Sequence, residues 1–147
     1  MKVVVQRVKE ASCFVNNQVV SKIGNGYLLL VGLTHSDSIA DVEYLAKKIA
    51  NLRIFEDHEG KMNKSILDMK YQILSISQFT LYGNTLKGNR PSFIDAMHPV
   101  KAEELYLKLT DILINNYGIN TLNGMFCEYM DISLINDGPV TIILESK

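Results

Sequence analysis

Ser77, Gln78 and Thr80 stand within four residues of one another, with Phe79 among them, at the end of the apolar run Ile73-Leu74-Ser75-Ile76. Two hydroxyls and an amide at the end of a core strand must find partners or stay reachable by a ligand. The chemistry they offer is narrow. The stretch Tyr71–Gly83 holds no carboxylate, imidazole or thiol. Thr80 would be a nucleophile only with a base brought from elsewhere. More simply, it donates a hydrogen bond to an oxyanion beside backbone N–H groups. Such a cluster polarises and positions a substrate rather than running acid–base chemistry. A satisfied internal network, or a strand emerging at the surface, accounts for the same residues equally well. A second group, Lys87, Arg90, Pro91 and Phe93, lies in Gly83–Pro99, an unusually long loop for so short a chain. A basic pair beside an aromatic suits phosphate or nucleotide contact, although a solvated loop anchored by Phe93 explains it more simply. Arg7 ends an apolar segment. A lone arginine there is usually a surface charge, and its strand position also lets it point into a site.

The elements that must hold these residues follow from periodicity. Ile73, Leu74 and Ile76 leave neither face for water, which predicts a buried central strand. Continued through the polar residues, its period of two puts Ser77 and Phe79 on one side and Gln78 and Thr80 on the other. Val3–Val8 and Tyr27–Leu33 read as strands, the latter fully buried. Ser12–Val15 and Gln18–Ile23 flank Asn16-Asn17, a two-residue hairpin turn, because Asn tolerates positive φ. Gly24-Asn25-Gly26 is a further turn; with no helix after it, it is not a phosphate loop. Ser38 and Asp41 open a helix whose apolar face is Ile39, Val42, Leu45, Ala46, Ile49 and Ala50. Leu52–Phe55 reads as a short strand, Asp57-His58-Glu59-Gly60 as a turn with an idle His58, and Lys61–Met69 as irregular. Pro99 starts a second helix lined by Ala102, Leu105, Leu109, Ile112, Leu113 and Asn116, and Gly118 ends it. Met125–Ile135 reads as a long strand, Asn136-Asp137-Gly138-Pro139 as a turn, and Val140–Leu144 as the last strand.

The chain's 147 residues fit one domain, 1–147. A net charge of −1 gives no global nucleic-acid footprint, so RNA would be met by local patches. Cys13 and Cys127 have no metal-ligand or redox-motif spacing and read as reduced core thiols, which predicts a cytoplasmic protein. No metal or cofactor is expected. No signal-like or membrane-spanning run is present.

Taken together, the motifs resemble those of D-aminoacyl-tRNA deacylases along essentially the whole chain. The opening Val4-Val5-Gln6-Arg7-Val8 is similar, as are Asn51-Leu52-Arg53-Ile54-Phe55-Glu56-Asp57 and Gly60-Lys61-Met62-Asn63. The signature Ser77-Gln78-Phe79-Thr80-Leu81-Tyr82 is followed by Lys87-Gly88-Asn89-Arg90-Pro91-Ser92-Phe93. The second signature is Asn136-Asp137-Gly138-Pro139-Val140-Thr141. The resemblance implies an α/β fold with a mostly antiparallel, barrel-like sheet and two main helices, assembled as a homodimer. It implies hydrolysis of the ester joining a D-amino acid, or glycine, to the terminal adenosine of tRNA. It places Ser77, Gln78, Phe79 and Thr80 at the pocket floor as the catalytic group. Gly138-Pro139 would be the family's cis pair, inserted into the partner subunit's pocket as a chirality filter. Arg7 would help to hold that loop, Met130 would line the pocket, and Lys87 and Arg90 would meet tRNA.

Two departures stand out. Where many members carry Phe-Gly before a small residue and the pocket Met, this chain has Phe126-Cys127-Glu128-Tyr129-Met130. Where many have Tyr-Ala-Asp, it has Tyr82-Gly83-Asn84. The first bears on the shape of the pocket wall. Two other function classes compete: a nucleic-acid-binding module without catalysis, since some relatives are described as DNA-associated, and a hydrolase of small esters. Matched D- and L-aminoacyl-tRNA separate all three.

Overall fold

A computed structural model describes all 147 residues. One long strand, β1 (Lys2–Val15), organises the sheet. Along one edge its first half pairs antiparallel with β3 (Gly26–Gly32) and its second half with β2 (Gln18–Ile23). The β1–β2 turn is Asn16-Asn17, with φ of 50° and 62°, the left-handed pair that a two-residue hairpin requires. Beyond β3 lie β6 (Gln72–Ser77) and then β7 (Thr121–Asn123), both paired in parallel. β8 (Asp131–Glu145) follows the other edge of β1, antiparallel. The barrel-like sheet is therefore mixed, with three antiparallel and two parallel pairings.

The two main helices pack on one face. α1 (Ile39–Asn51) begins at Ser38, whose backbone N–H and hydroxyl both donate to the Asp41 carboxylate at 2.9 Å. It buries Val42, Leu45, Ala46, Ile49 and Ala50, while Ile39, expected on that face, is exposed in the first turn. After it come a two-stranded ribbon, β4 (Phe55–Glu56) with β5 (Met62–Lys64), and a one-turn helix, α2 (Ile66–Met69). That replaces the irregular segment expected at 61–69. The missed signal is Ser65 with Asp68 three residues on, a capping box like that of α1. α3 (Pro99–Asn115) has its proline in the first turn. It buries the expected residues together with Tyr106 and Thr110, whereas Asn116 is exposed at its end, and Gly118 turns away at φ 66°. The main core joins α1 and α3 to Val3, Val5, Tyr27, Leu29, Val31 and Ile73. The opposite sheet face carries a smaller cluster of Val8, Ala11, Cys13, Ile23, Leu28, Leu74 and Ile76.

Two expected strand continuations fail and one expected turn proves to be strand, and each difference shapes the site. β6 does not run through the polar signature. Gln78 (φ −143°, ψ 77°) leaves the extended run, and Phe79–Tyr82 form a 3-10 turn seated on Gly32, where an added Cβ would lie 3.0 Å from Leu81 Cβ. The two-sided arrangement expected for residues 77–80 thus ends at Ser77. Residues 125–130 form a turn rather than strand, and β8 starts at Asp131. Finally, Asn136–Pro139 does not reverse the chain. Asn136 pairs with Val8 and Thr141 with Gln6, so Asp137, Gly138, Pro139 and Val140 bulge opposite the single residue Arg7. Both halves of β8 pair with the same strand in the same direction, which a reversing turn cannot do.

Candidate active site

An apolar cavity of about 710 Å³ opens beside the end of β6. Its walls come from four places: Val31 and Leu33 at the end of β3; Ile76, Ser77, Gln78 and Phe79; the returning limb of the long loop with Phe93, Ile94 and Met97, leading to Pro99 and Ala102 of α3; and Phe126–Met130 with Ile132. An apolar cleft with a few convergent polar groups is the usual form of a small-ligand site. Phe79 and Phe93 meet edge to face, with centroids 5.1 Å apart. Phe126 packs on Tyr106, whose hydroxyl donates to the Ser75 carbonyl at 2.6 Å. Burial pushes that phenol up to about 12, so it stays a neutral donor beneath the cavity.

The structure brings Ser77, Gln78, Phe79 and Met130 together in the cavity wall. Thr80 follows in the 3-10 turn, outside the wall residues, and the Gln78 amide donates to its Oγ1 at 2.6 Å. With its oxygen already accepting, the Thr80 hydroxyl proton is free to donate to a ligand. Lys87 and Arg90 are exposed on the loop and take no part in the cavity.

Gly138, Pro139 and Arg7 also lie outside it. Arg7 is buried, not a surface charge. Its Nε donates to the Asp137 carbonyl at 3.0 Å and lies 3.1 Å from the Asp137 carboxylate, and its Nη1 donates to the Ile54 carbonyl at 2.6 Å. Gln6 holds the far side of the bulge, donating to the Val140 carbonyl at 3.2 Å and accepting from the Thr141 hydroxyl. The Gly138–Pro139 peptide bond is cis. At φ 121°, Gly138 sits where a Cβ would come within 2.9 Å of Val140 Cγ2 and 3.1 Å of Arg7 Nη2. Gly138 and Pro139 are nonetheless exposed on their own chain.

Sequence reasoning placed the Phe126–Met130 departure at the pocket wall but did not single out the titratable lining as a group. His35, His98, Cys127 and Glu128 all border the cavity. They come from three separate segments, so no local spacing announced them. Cys127 is exposed, not a core thiol, at φ 61° in the turn that replaces the expected strand. A left-handed conformation costs a non-glycine residue about 1–2 kcal/mol. The glycine of the resembled pattern would avoid that cost. Gly83, the other departure, lies where a Cβ would come 2.9 Å from the Phe93 ring.

Comparison with known proteins identifies the family. The family model described as D-Tyr-tRNA(Tyr) deacylase matches residues 4–145. A "D-aminoacyl-tRNA deacylase" from Bacillus mycoides (strain KBAB4) is 56% identical over 147 residues, covering all of both chains. One of the same name from Bacillus cytotoxicus is likewise 56% identical over the full length of both. A solved structure titled "c-Myc DNA Unwinding Element Binding Protein" superposes with a TM-score of 0.95 at 44% identity, covering 100% of this chain and 99% of that one. Another, titled as a probable eukaryotic D-amino acid tRNA deacylase, shares the fold at a TM-score of 0.84 and 16% identity, over 98% of each chain. With the family model matching almost end to end and full-length relatives above half identity, the chain belongs to the D-Tyr-tRNA(Tyr) deacylase family, whose enzymes are ester hydrolases.

Proposed function

We propose that this protein hydrolyses the ester bond of D-aminoacyl-tRNA, and of glycyl-tRNA, in the cytoplasm. The observation that carries the reading is the apolar cavity walled by Ser77, Gln78 and Phe79, with the Gln78 amide also donating to Thr80 Oγ1. That bond leaves the Thr80 hydroxyl proton free to donate, one residue on from Phe79 of the cavity wall. An ester to a ribose hydroxyl is activated enough that orientation and oxyanion stabilisation suffice. The substrate's own 2′-OH relays the proton. The exposed Lys87 and Arg90 meet tRNA phosphates.

Selectivity is assigned to Gly138 and Pro139. A site for D-amino acids must block the position of an L side chain. Backbone does this better than apolar fit, which separates substrates by only about 10–200-fold per methylene. Arg7 and Gln6 grip the bulge on both sides, which is the rigidity such a filter needs. The pair is exposed and absent from the walls of its own chain's cavity, consistent with a homodimer in which each subunit's bulge enters the other's pocket. With no side chain at Gly138, glycine is not excluded. The test is hydrolysis of matched D-tyrosyl-, L-tyrosyl- and glycyl-tRNA. Cleavage of the D and glycyl substrates with the L substrate spared is expected; comparable D and L rates would refute the filter.

The 44% identical structure titled as a DNA-unwinding-element binding protein favours a second reading, a nucleic-acid-binding module. On that reading this chain would bind tRNA irrespective of the attached amino acid and release none.

A further inference from the structure

Thr34 and His35 have no place in the chemistry above, yet they hold one wall of the cavity. The limb of the long loop that returns to α3 supplies Phe93, Ile94, Ala96 and Met97 to that wall. It belongs to no regular element. Its position is fixed by the residues that follow β3. The Thr34 hydroxyl donates to the Asp95 carbonyl at 2.6 Å, and His35 Nε2 lies 2.7 Å from the Ile94 carbonyl. A carbonyl only accepts, so Nε2 of His35 carries the proton. Two consecutive side chains thus hold two consecutive carbonyls. Backbone adds the Met97 N–H to Leu33 carbonyl bond at 2.9 Å and the Thr34–Ala96 bridge.

The donors are themselves held. The Thr34 N–H donates to the Asp37 carboxylate at 2.8 Å, and the Asp37 N–H returns to the Thr34 carbonyl at 3.0 Å. Asp37 is buried and also pairs with the Met1 amino group. A turn locked in this way presents the Thr34 hydroxyl and the His35 ring in one arrangement, as a supporting shell must if a wall is to be placed within about 0.5 Å.

We infer that Thr34 and His35 are positioning residues for the substrate pocket, setting where Phe93 and Ile94 meet the amino-acid side chain. The inference rests on the reading of this cavity as the deacylase site. Without the clamp the wall samples open positions, and substrate binding weakens while the catalytic hydroxyl at Thr80 is untouched. The effect belongs in KM.

The test uses the full-length protein with D-tyrosyl-tRNA. Thr34→Val and His35→Phe each keep shape and remove one donor. Each is expected to raise KM roughly 3–10-fold, the worth of one lost hydrogen bond, with kcat within about twofold. His35→Gln, whose amide nitrogen reaches the same carbonyl, restores KM to near the wild-type value. Unchanged KM in Thr34→Val and His35→Phe would overturn the inference, as would equal losses in His35→Phe and His35→Gln. A role confined to stability lowers the melting temperature and the active fraction without moving KM, and that outcome also overturns it. Phe79→Ala is the control for the underlying site. If it raises KM while the clamp variants do not, the pocket stands and the clamp falls; if wild-type protein does not cleave D-tyrosyl-tRNA, the site reading itself has failed.

Discussion

At the scale of single residues, the site is notable for what Thr80 lacks. Its Oγ1 accepts from Gln78, and no carboxylate or imidazole is bonded to it. An unassisted threonine is a poor nucleophile, whereas an oriented hydroxyl is a good oxyanion donor. Thr80→Ala should therefore slow hydrolysis by about 10²–10³, the cost of one lost oxyanion donor, with KM little changed. A tRNA ending in 2′-deoxyadenosine, charged through its 3′-OH, should bind wild-type protein and react very slowly, because the proton relay is gone. Capture of an acyl-threonine adduct would contradict the first expectation. Unchanged turnover of the deoxy substrate would contradict the second, and would turn attention to His35 and His98, which border the cavity.

At the scale of elements, the junction of α1 with the chain's end is a pH-sensitive part of the fold. Burial alone would raise the Asp41 carboxyl, but hydrogen bonds from the Ser38 N–H, from Ser146, from the Ser38 hydroxyl and from Lys147 outweigh it and hold it well below the usual carboxylate range. The folded state then binds its proton only at a pH below the unfolded value of about 3.9, so this stabilisation is complete above that value and is lost as pH falls beneath it. The urea midpoint should stay level from pH 7 to about 5 and drop below about 4. Asp57, Asp68 and Asp111 are also held low and steepen the same drop. In Asp41→Asn the midpoint should be lower at pH 7 and fall less steeply in acid; an identical acid limb would remove Asp41 from the account. The same junction shows what a sequence discloses. Ser38 with Asp41 announced α1, and Asn16-Asn17 announced its hairpin, because each signal acts between near neighbours. The bulge at Asp137–Val140 carries the residues of a turn, and only its pairing with Arg7 and Gln6, some 130 positions away, makes it a bulge. The 3-10 turn at Phe79–Tyr82 likewise depends on Gly32 beneath it. Ser77, Gln78, Phe79 and Met130 were legible as a group by their resemblance to a known signature. Cys127 was legible only as a departure in the pocket wall, and the histidines' place beside it was not, since tertiary packing alone assembles them.

At the scale of the whole molecule, one chain holds both halves of the proposed mechanism but does not bring them together. The cavity lies at the end of β6, and the Gly138–Pro139 bulge is exposed and absent from its walls. If selectivity comes from the bulge, it is supplied by a second copy, and subunit mixing decides the matter. Thr80→Ala removes the donor and keeps the filter. Gly138→Ala keeps Thr80 and pushes a methyl within 2.9 Å of Val140 Cγ2 and 3.1 Å of Arg7 Nη2, at a φ that disfavours any side chain, so it displaces the filter. The Thr80→Ala homodimer should be slow on every substrate, and the Gly138→Ala homodimer should show a reduced ratio of D- to L-tyrosyl-tRNA cleavage. In a dimer of one chain of each kind, the pocket that retains Thr80 receives the intact bulge of the Thr80→Ala chain. Its D-to-L ratio should return to the wild-type value at about half the wild-type rate. A filter acting within its own chain predicts the opposite: the one working pocket keeps its damaged bulge, and the mixed dimer is as unselective as the Gly138→Ala parent.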